Sequence, residues 1–185
     1  ILQVYDKEGI RYTTPKLKIM GIETAKSSTP NIVRGSLEKA IKILLNEDEQ
    51  RLQEFVKRFK EEFFSVPIAD IASPRGVNNI DSWVLPNGGF VKGTPIHVRG
   101  SIVYNRMLKK KGLGEYQSIK VGDKVKFIYL SVPNITQSHV IAFLDSLPEE
   151  FGLNGVINRE LQFEKTFLEP LKSLSDIVGW NVEKV

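Results

Sequence analysis

The sequence predicts an α+β protein: an antiparallel helix pair and further helices, with small antiparallel strands and hairpins. Two adjacent stretches, Val33 to Leu45 and Leu52 to Phe63, repeat apolar residues at helical spacing. Two others, KVKFIYL and SHVIAFL, are rich in β-branched and aromatic residues and flank a short polar loop, which is a hairpin signature. With 185 residues, 41% hydrophobic and 26% charged, the chain has the apolar content for a packed core and the length of one domain or slightly more.

In chain order, ILQVYDKEGIRY reads as two short strands around a Lys-Glu-Gly turn, and Lys16 to Glu23 alternates like a third strand. A helix follows TAKSSTP: Ser28 or Thr29 can accept from the first free amides, and Pro30 suits the first helical position. Its apolar stripe is Val33, Leu37, Ala40, Ile41, Leu44 and Leu45. Asn46 and Glu49 form a capping pair for a second helix whose stripe is Leu52, Phe55, Val56, Phe59 and Phe63. The few residues between them predict antiparallel neighbours. Pro67 ends the second helix, and PIADIAS reads as a strand. Pro74 to Pro95, rich in Gly, Asn and Pro with Trp83 as its large anchor, reads as an extended loop with a short strand pair. HVRGSIVYNRMLKKKG places Val98, Ile102, Val103, Met107 and Leu108 on one side of a helix and Gly112 at its end. Propensity alone argues against that helix at Gly100 and the β-branched run. Beyond the hairpin, NRELQFEKTFLEPLKSLSDIVGW supplies a C-terminal helix interrupted at Pro170, with Leu161, Phe163, Phe167, Leu168, Leu171, Leu174 and Ile177 on its apolar side.

Composition excludes several chemistries. The chain has no cysteine, so a disulfide scaffold, a thiolate zinc site, an iron–sulfur cluster and a cysteine nucleophile are all ruled out. Two histidines, His97 and His139, are too few for a multi-histidine metal site. No apolar run approaches about 18 residues and the N-terminus lacks the layout of a signal peptide, so a soluble protein with no membrane partner is expected. A start at Ile1, inside what reads as a strand, suggests a piece of something larger. Net charge is +4, unevenly spread: Lys92, Arg99, Arg106, Lys109, Lys110, Lys111, Lys120, Lys124 and Lys126 stand against only Glu115 and Asp123 between residues 91 and 126. Such a local excess is the footprint of a phosphate-backbone binder, or else a solvated face with a lysine-rich loop.

No catalytic set emerges. The seven aspartates never form a close Asp-x-Asp pair, and neither a glycine-rich phosphate loop nor a Gly-x-Ser-x-Gly elbow occurs. Glu149 and Glu150 are adjacent and read as solvated. His97 sits in a basic setting without a partner for general-base work, so hydrogen bonding or phosphate contact suits it better. His139 lies in an alternating strand and reads as structural. Two stretches carry binding chemistry. Lys26, Ser27, Ser28 and Thr29 combine a cation and hydroxyls at a helix start, an anion site or simply a cap. On the later helix Arg99, Arg106 and Lys110 fall near one face, with Asn105 and Lys109 at its margin and Tyr104 and Lys111 alongside. That is either a phosphate- and sugar-contacting surface or a basic side facing water.

At these residues the sequence resembles the C-terminal part of a family B replicative DNA polymerase of the tailed-phage type. The resemblance is carried by VYDKEGIRYTTPKLKIMGIETAKSSTP, PIHVRGSIVYNR, GDKVKFIYL and FEKTFLEPL, in the family's order and at similar spacings across essentially the whole chain. The first two are highly specific and the last two weak alone, while Ser65 to Lys92 is more divergent. The resemblance implies terminal palm strands over residues 1–22 and a thumb over residues 23–185, gripping primer–template duplex from its minor-groove side. It implies DNA contacts by Lys26, Ser27, Ser28 and Thr29 at the palm–thumb junction, and by His97, Arg99, Tyr104, Asn105 and Arg106 in the second motif. Lys109, Lys110, Lys111, Lys120 and Lys124 complete the expected DNA-binding set through their charge.

The departures matter equally. The family's metal-binding carboxylate motifs and its Lys-Lys-Arg-Tyr motif are missing from this chain, so Mg2+ is expected in a palm outside it and no cofactor within it. The chain ends at GWNVEKV without the family's apolar, Phe-containing tail, so no sliding-clamp contact is expected through such a tail. The implied partners are primer–template DNA and the palm and exonuclease parts of the polymerase. The implied location is the cytoplasm of an infected bacterial host. A nucleotidyltransferase part that is non-catalytic by itself is the first reading. A protein-docking subunit without DNA binding of its own is the alternative.

Overall fold

The computed structural model describes residues 18–183 except Glu23 and Ala25, so the hairpin expected over ILQVYDKEGIRY lies outside the described residues. The chain divides into one unit of residues 1–62 and 165–185 and a second of residues 63–164. Helices and a small antiparallel sheet make up the α+β class that the sequence predicts. The strand expected over Lys16 to Glu23 is absent from Lys18 to Ile22, where Gly21 adopts a left-handed φ of 78° and bends the chain out of extended conformation.

In the first unit, α1 (Asn31–Asn46) buries Val33, Leu37, Ala40 and Ile41, while Leu45 at the end of the predicted stripe stays exposed. Pro30 precedes the first helical residue rather than occupying it. Its ψ of 144° is extended, and its carbonyl accepts from the Arg34 N–H at 2.9 Å. α2 (Glu49–Ser65) is capped by Asp48, whose Oδ1 accepts from the Arg51 N–H at 2.9 Å. Asn46, expected to cap, remains in α1 and donates to the Lys42 carbonyl at 2.8 Å. With only two residues between the helices, Asp48 is the side chain that reaches the free amides. The C-terminal stretch ties both helices down. α1 lies against α6 (Glu169–Ser175), and Phe59 of α2 meets Phe167 edge to face at 4.7 Å. Gln53 donates to the Asn181 carbonyl at 2.6 Å, and Glu49 accepts from the Asn181 N–H at 2.7 Å. The interruption near Pro170 takes the form of a π-helical turn over Glu164–Leu168, because proline supplies no N–H and crowds the carbonyl four residues earlier. Ile177, assigned to the apolar side, is 80% exposed because a 3-10 turn over Asp176–Val178 ends the helix.

The second unit is built on a sheet in the order β1-β2-β3: β1 (Ser73–Gly76), β2 (Lys124–Tyr129) and β3 (Val140–Phe143). Phe127 stands opposite Ser73 on one side and Ala142 on the other. The expected hairpin over Lys124–Leu130 and Ser138–Leu144 is present, closed by the Leu130 N–H donating to the His139 carbonyl at 2.8 Å. PIADIAS is not a strand. Pro67 starts a single helical turn, α3 (Ile68–Ile71), and β1 begins only at Ser73. The loop beyond β1 carries a 3-10 turn at Asp81–Trp83 and an isolated bridge between Val84 and Phe90, with Trp83 only half-buried.

Across the sheet lies α4 (Ile96–Lys111), ended as expected by Gly112 at a left-handed φ of 65°. It buries Val98, Ile102, Val103, Met107 and Leu108, each fully enclosed apolar side chain being worth about 1.5–3 kcal/mol. Its contact with β3 explains Gly100. A Cβ there would lie 2.8 Å from the Ala142 nitrogen and 2.9 Å from the Ile141 carbonyl carbon, so the helix meets the strand backbone directly. A fully buried Gln162 on α5 (Arg159–Phe163) bridges α3 and β2. Its amide donates to the Ile71 carbonyl at 2.8 Å and its oxygen accepts from the Tyr129 N–H at 3.3 Å. Phe63 and Phe163 meet edge to face at 5.2 Å.

Gly100→Ala should destabilise the protein by about 1–3 kcal/mol, since its new methyl meets backbone that cannot rotate away. Denaturant unfolding checks this against Gly114→Ala, a near-neutral comparison because a methyl at position 114 would have no neighbour within 4 Å.

Candidate nucleic-acid interface

The outward side of α4 follows from its inward side. With Val98, Ile102, Val103 and Met107 committed to the core, the 3.6-residue period turns Arg99, Arg106 and Lys110 away from it. Arg99 is half-buried, whereas Arg106, Lys109, Lys110 and Lys111 are exposed, and the three lysines occupy the last helical turn. Positive charge there also complements the helix dipole.

The two arginines are held by groups that do not neutralise them. Their guanidinium carbons lie 4.4 Å and 5.0 Å from the centroid of the Phe90 ring, Arg99 being the nearer. Arg106 also donates to the Gly88 carbonyl at 2.7 Å. Cation–π contact and a carbonyl acceptor orient a guanidinium yet leave its charge available to an anion. Arg106, Lys110 and Phe90 also line a cleft of about 270 Å³ with Ile135, Thr136, Gln137 and Ser138 from the loop between β2 and β3.

The remaining residues of this motif fall elsewhere. Tyr104 is buried, with its ring edge to face on Phe151 at 5.5 Å and its hydroxyl donating to the Gln117 carbonyl at 3.4 Å. Asn105 spends its amide on the following loop, donating to the Ile119 carbonyl and accepting from the Ile119 N–H, both at 2.8 Å. Lys120 and Lys124 are exposed at the entry to β2, about 17 Å along that strand from the end that carries the hairpin loop. His97 belongs near this end too, since its ring interacts with Gly76, the register partner of Lys124, and with Arg75. Lys126 donates to the Ala69 carbonyl at 2.8 Å.

Lys26, Ser27, Ser28 and Thr29 lie in the other unit. Lys26 and Ser27 are exposed, Ser28 is half-buried and Thr29 is buried, its N–H donating to the Lys26 carbonyl at 3.2 Å. These residues form a turn directly before Pro30 and α1.

Both histidines feel an arginine. Burial and then Arg75 push His97 below its ordinary value of 6.5, against a hydrogen bond with the Gly76 backbone. Burial and then Arg99 do the same to His139. Phe90 and Arg75 escape sequence reasoning because both lie between Pro74 and Pro95, a stretch whose composition reads as a loop although its first residues form β1. The available signal for Phe90 is a lone aromatic in a Gly-rich turn next to Lys92. Among the described residues no three His, Asp or Glu side chains come together as a metal site. No described helix is long and apolar enough to cross a membrane.

Fold and site define an α+β chain that concentrates cations on one aromatic-buttressed helix. The chain is 33% identical over 187 residues to a DNA-directed DNA polymerase of Enterobacteria phage T4, and 36% identical over 192 residues to one from Escherichia phage RB69. Each alignment takes in 99% of this chain and 20% of the relative, so the chain spans about a fifth of the length of the curated relatives it matches. No family model matches the chain. It is thus related to phage family B DNA polymerases, as the sequence motifs indicate.

The histidine environments give a pH dependence. A folded pKa below 6.5 means that the unfolded chain binds more protons near that pH, so stability falls as pH drops through 6.5 towards the folded values. Urea unfolding at pH 7.5 and 5.5 should show this loss, and His97→Gln should reduce it.

Proposed function

We propose that this chain is a thumb portion of a phage DNA polymerase that grips primer–template duplex and does no chemistry by itself. The carrying observation is the set of Arg99, Arg106 and Lys110 on one side of α4, with both arginines set against Phe90 and Arg106 bound to the Gly88 carbonyl rather than to carboxylates. The relationship to phage DNA polymerases supports a nucleic-acid backbone as the anion. The cations neutralise phosphates and release counterions, which gives affinity that falls steeply with salt. Phosphate contacts carry little sequence information, and a duplex that advances after each addition requires that tolerance. The turn from Lys26 to Thr29 supplies a further contact from the first unit. Catalysis, and the Mg2+ it uses, belongs to a palm acting beside this chain.

Fluorescence anisotropy with a labelled primer–template duplex at several salt concentrations tests the reading. Arg106→Ala and Lys110→Ala should each weaken binding about equally on all sequences and reduce the salt slope by about one. Absence of binding at low salt would overturn duplex gripping by this chain and favour the docking role. Phe90→Ala, which removes no charge, should weaken binding while leaving the slope nearly unchanged, because the arginines lose orientation and not charge.

A further inference from the structure

The loop between β2 and β3 combines two features that rarely go together: an apolar, solvent-facing tip and a rigid polar frame. Val132 is 63% exposed and Ile135 is 52% exposed. Neither belongs to the core, yet the loop that carries them is tightly tied. The Asn134 amide donates to the Ser131 and Ser138 carbonyls, both at 2.8 Å. Its oxygen accepts from the Thr136 N–H at 2.9 Å and from the Thr136 hydroxyl at 2.6 Å. The Ser138 hydroxyl donates to the Val140 carbonyl at 2.9 Å. Gln137 adopts a left-handed φ of 54°, unusual for a residue with a side chain, and is held there by this frame. Because its shape is set in advance, the tip loses little entropy when it meets a partner.

The surroundings identify that partner. Ile135 lines the same cleft as Arg106 and Lys110, so the apolar tip stands beside two cations. A polyanion with an apolar surface between its charges matches this arrangement. In duplex DNA the walls of the minor groove are deoxyribose faces, flanked on both sides by phosphates. We propose that Ile135, with Val132 exposed on the same loop, rests on deoxyribose in the minor groove while Arg106 and Lys110 hold the flanking phosphates. This inference rests on the duplex-binding reading above. The contact selects for the sugar: in an A-form RNA duplex the minor groove displays 2′-hydroxyls. Packing Ile135 against them leaves those hydroxyls desolvated without an acceptor. The same contact forms no hydrogen bond to a base, so it does not tie the loop to one register.

The test uses the whole chain with DNA and RNA duplexes of identical sequence, read by anisotropy over a range of salt. Wild type should prefer DNA, and Ile135→Ser should lose about five-fold in DNA affinity with an unchanged salt slope and little loss on RNA. Val132→Ser should act in the same direction, and both side chains are exposed enough that circular dichroism should match wild type. Equal losses on DNA and RNA, no loss on either, or a changed salt slope would each overturn the sugar contact. Failure of the wild-type chain to bind any duplex would instead overturn the duplex-binding reading on which the contact rests.

Discussion

The close approach of α4 to β3 at Gly100 is the constraint on which the candidate interface depends. With the helix backbone held against the backbone at Ile141 and Ala142, the helix has little freedom to roll. Its rotation decides which residues enter the core and which face out. Val103 and Met107 go inward, and Arg106 and Lys110 are left beside the hairpin loop. A larger residue at position 100 would lift the helix from the strand and change the geometry of the whole basic face. The Gln162 hydrogen bonds join α3, β2 and α5 through one buried amide.

Charge is handled differently in the two units. In the first, Glu38–Lys42, Lys165–Glu169 and Lys172–Glu183 are exposed ion pairs that use up charge at the surface. Pairs of this kind add little stability. In the second, Arg99 and Arg106 rest on an aromatic ring and a backbone carbonyl, partners that fix position without cancelling charge. Such an arrangement keeps a cationic surface ready for an anion. Burial, with Arg75 near His97 and Arg99 near His139 adding to it, makes both histidines resist protonation.

Much of this is legible in the sequence because periodicity reports on burial. The stripes of α1, α2 and α4 each reflect one buried face, while the continuous apolar run of β3 reflects a strand buried on both faces. Errors cluster where local chemistry has equivalent options. Asp48 rather than Asn46 caps α2, a difference of two residues that no pattern separates. Pro67 reads as a terminator, but the same fixed φ also starts α3. Of the candidate site, the face of Arg99, Arg106 and Lys110 follows from helical spacing. Phe90 and Arg75 do not, since a turn brings the one to α4 and the short strand β1 brings the other to His97, both by long-range contact. Tyr104 and Asn105 share the polar appearance of their neighbours, and only the fold shows that one ring packs on Phe151 and one amide holds Ile119.

Lysine-modification footprinting by mass spectrometry tests most directly whether the cations of α4 meet duplex DNA. Amine acetylation of the chain with and without a primer–template duplex would be compared site by site. Duplex gripping by α4 predicts protection at Lys109, Lys110 and Lys111 and unchanged labelling at Lys39 and Lys57, which lie exposed on α1 and α2. Unchanged labelling of the three α4 lysines under conditions where the duplex is bound would contradict it.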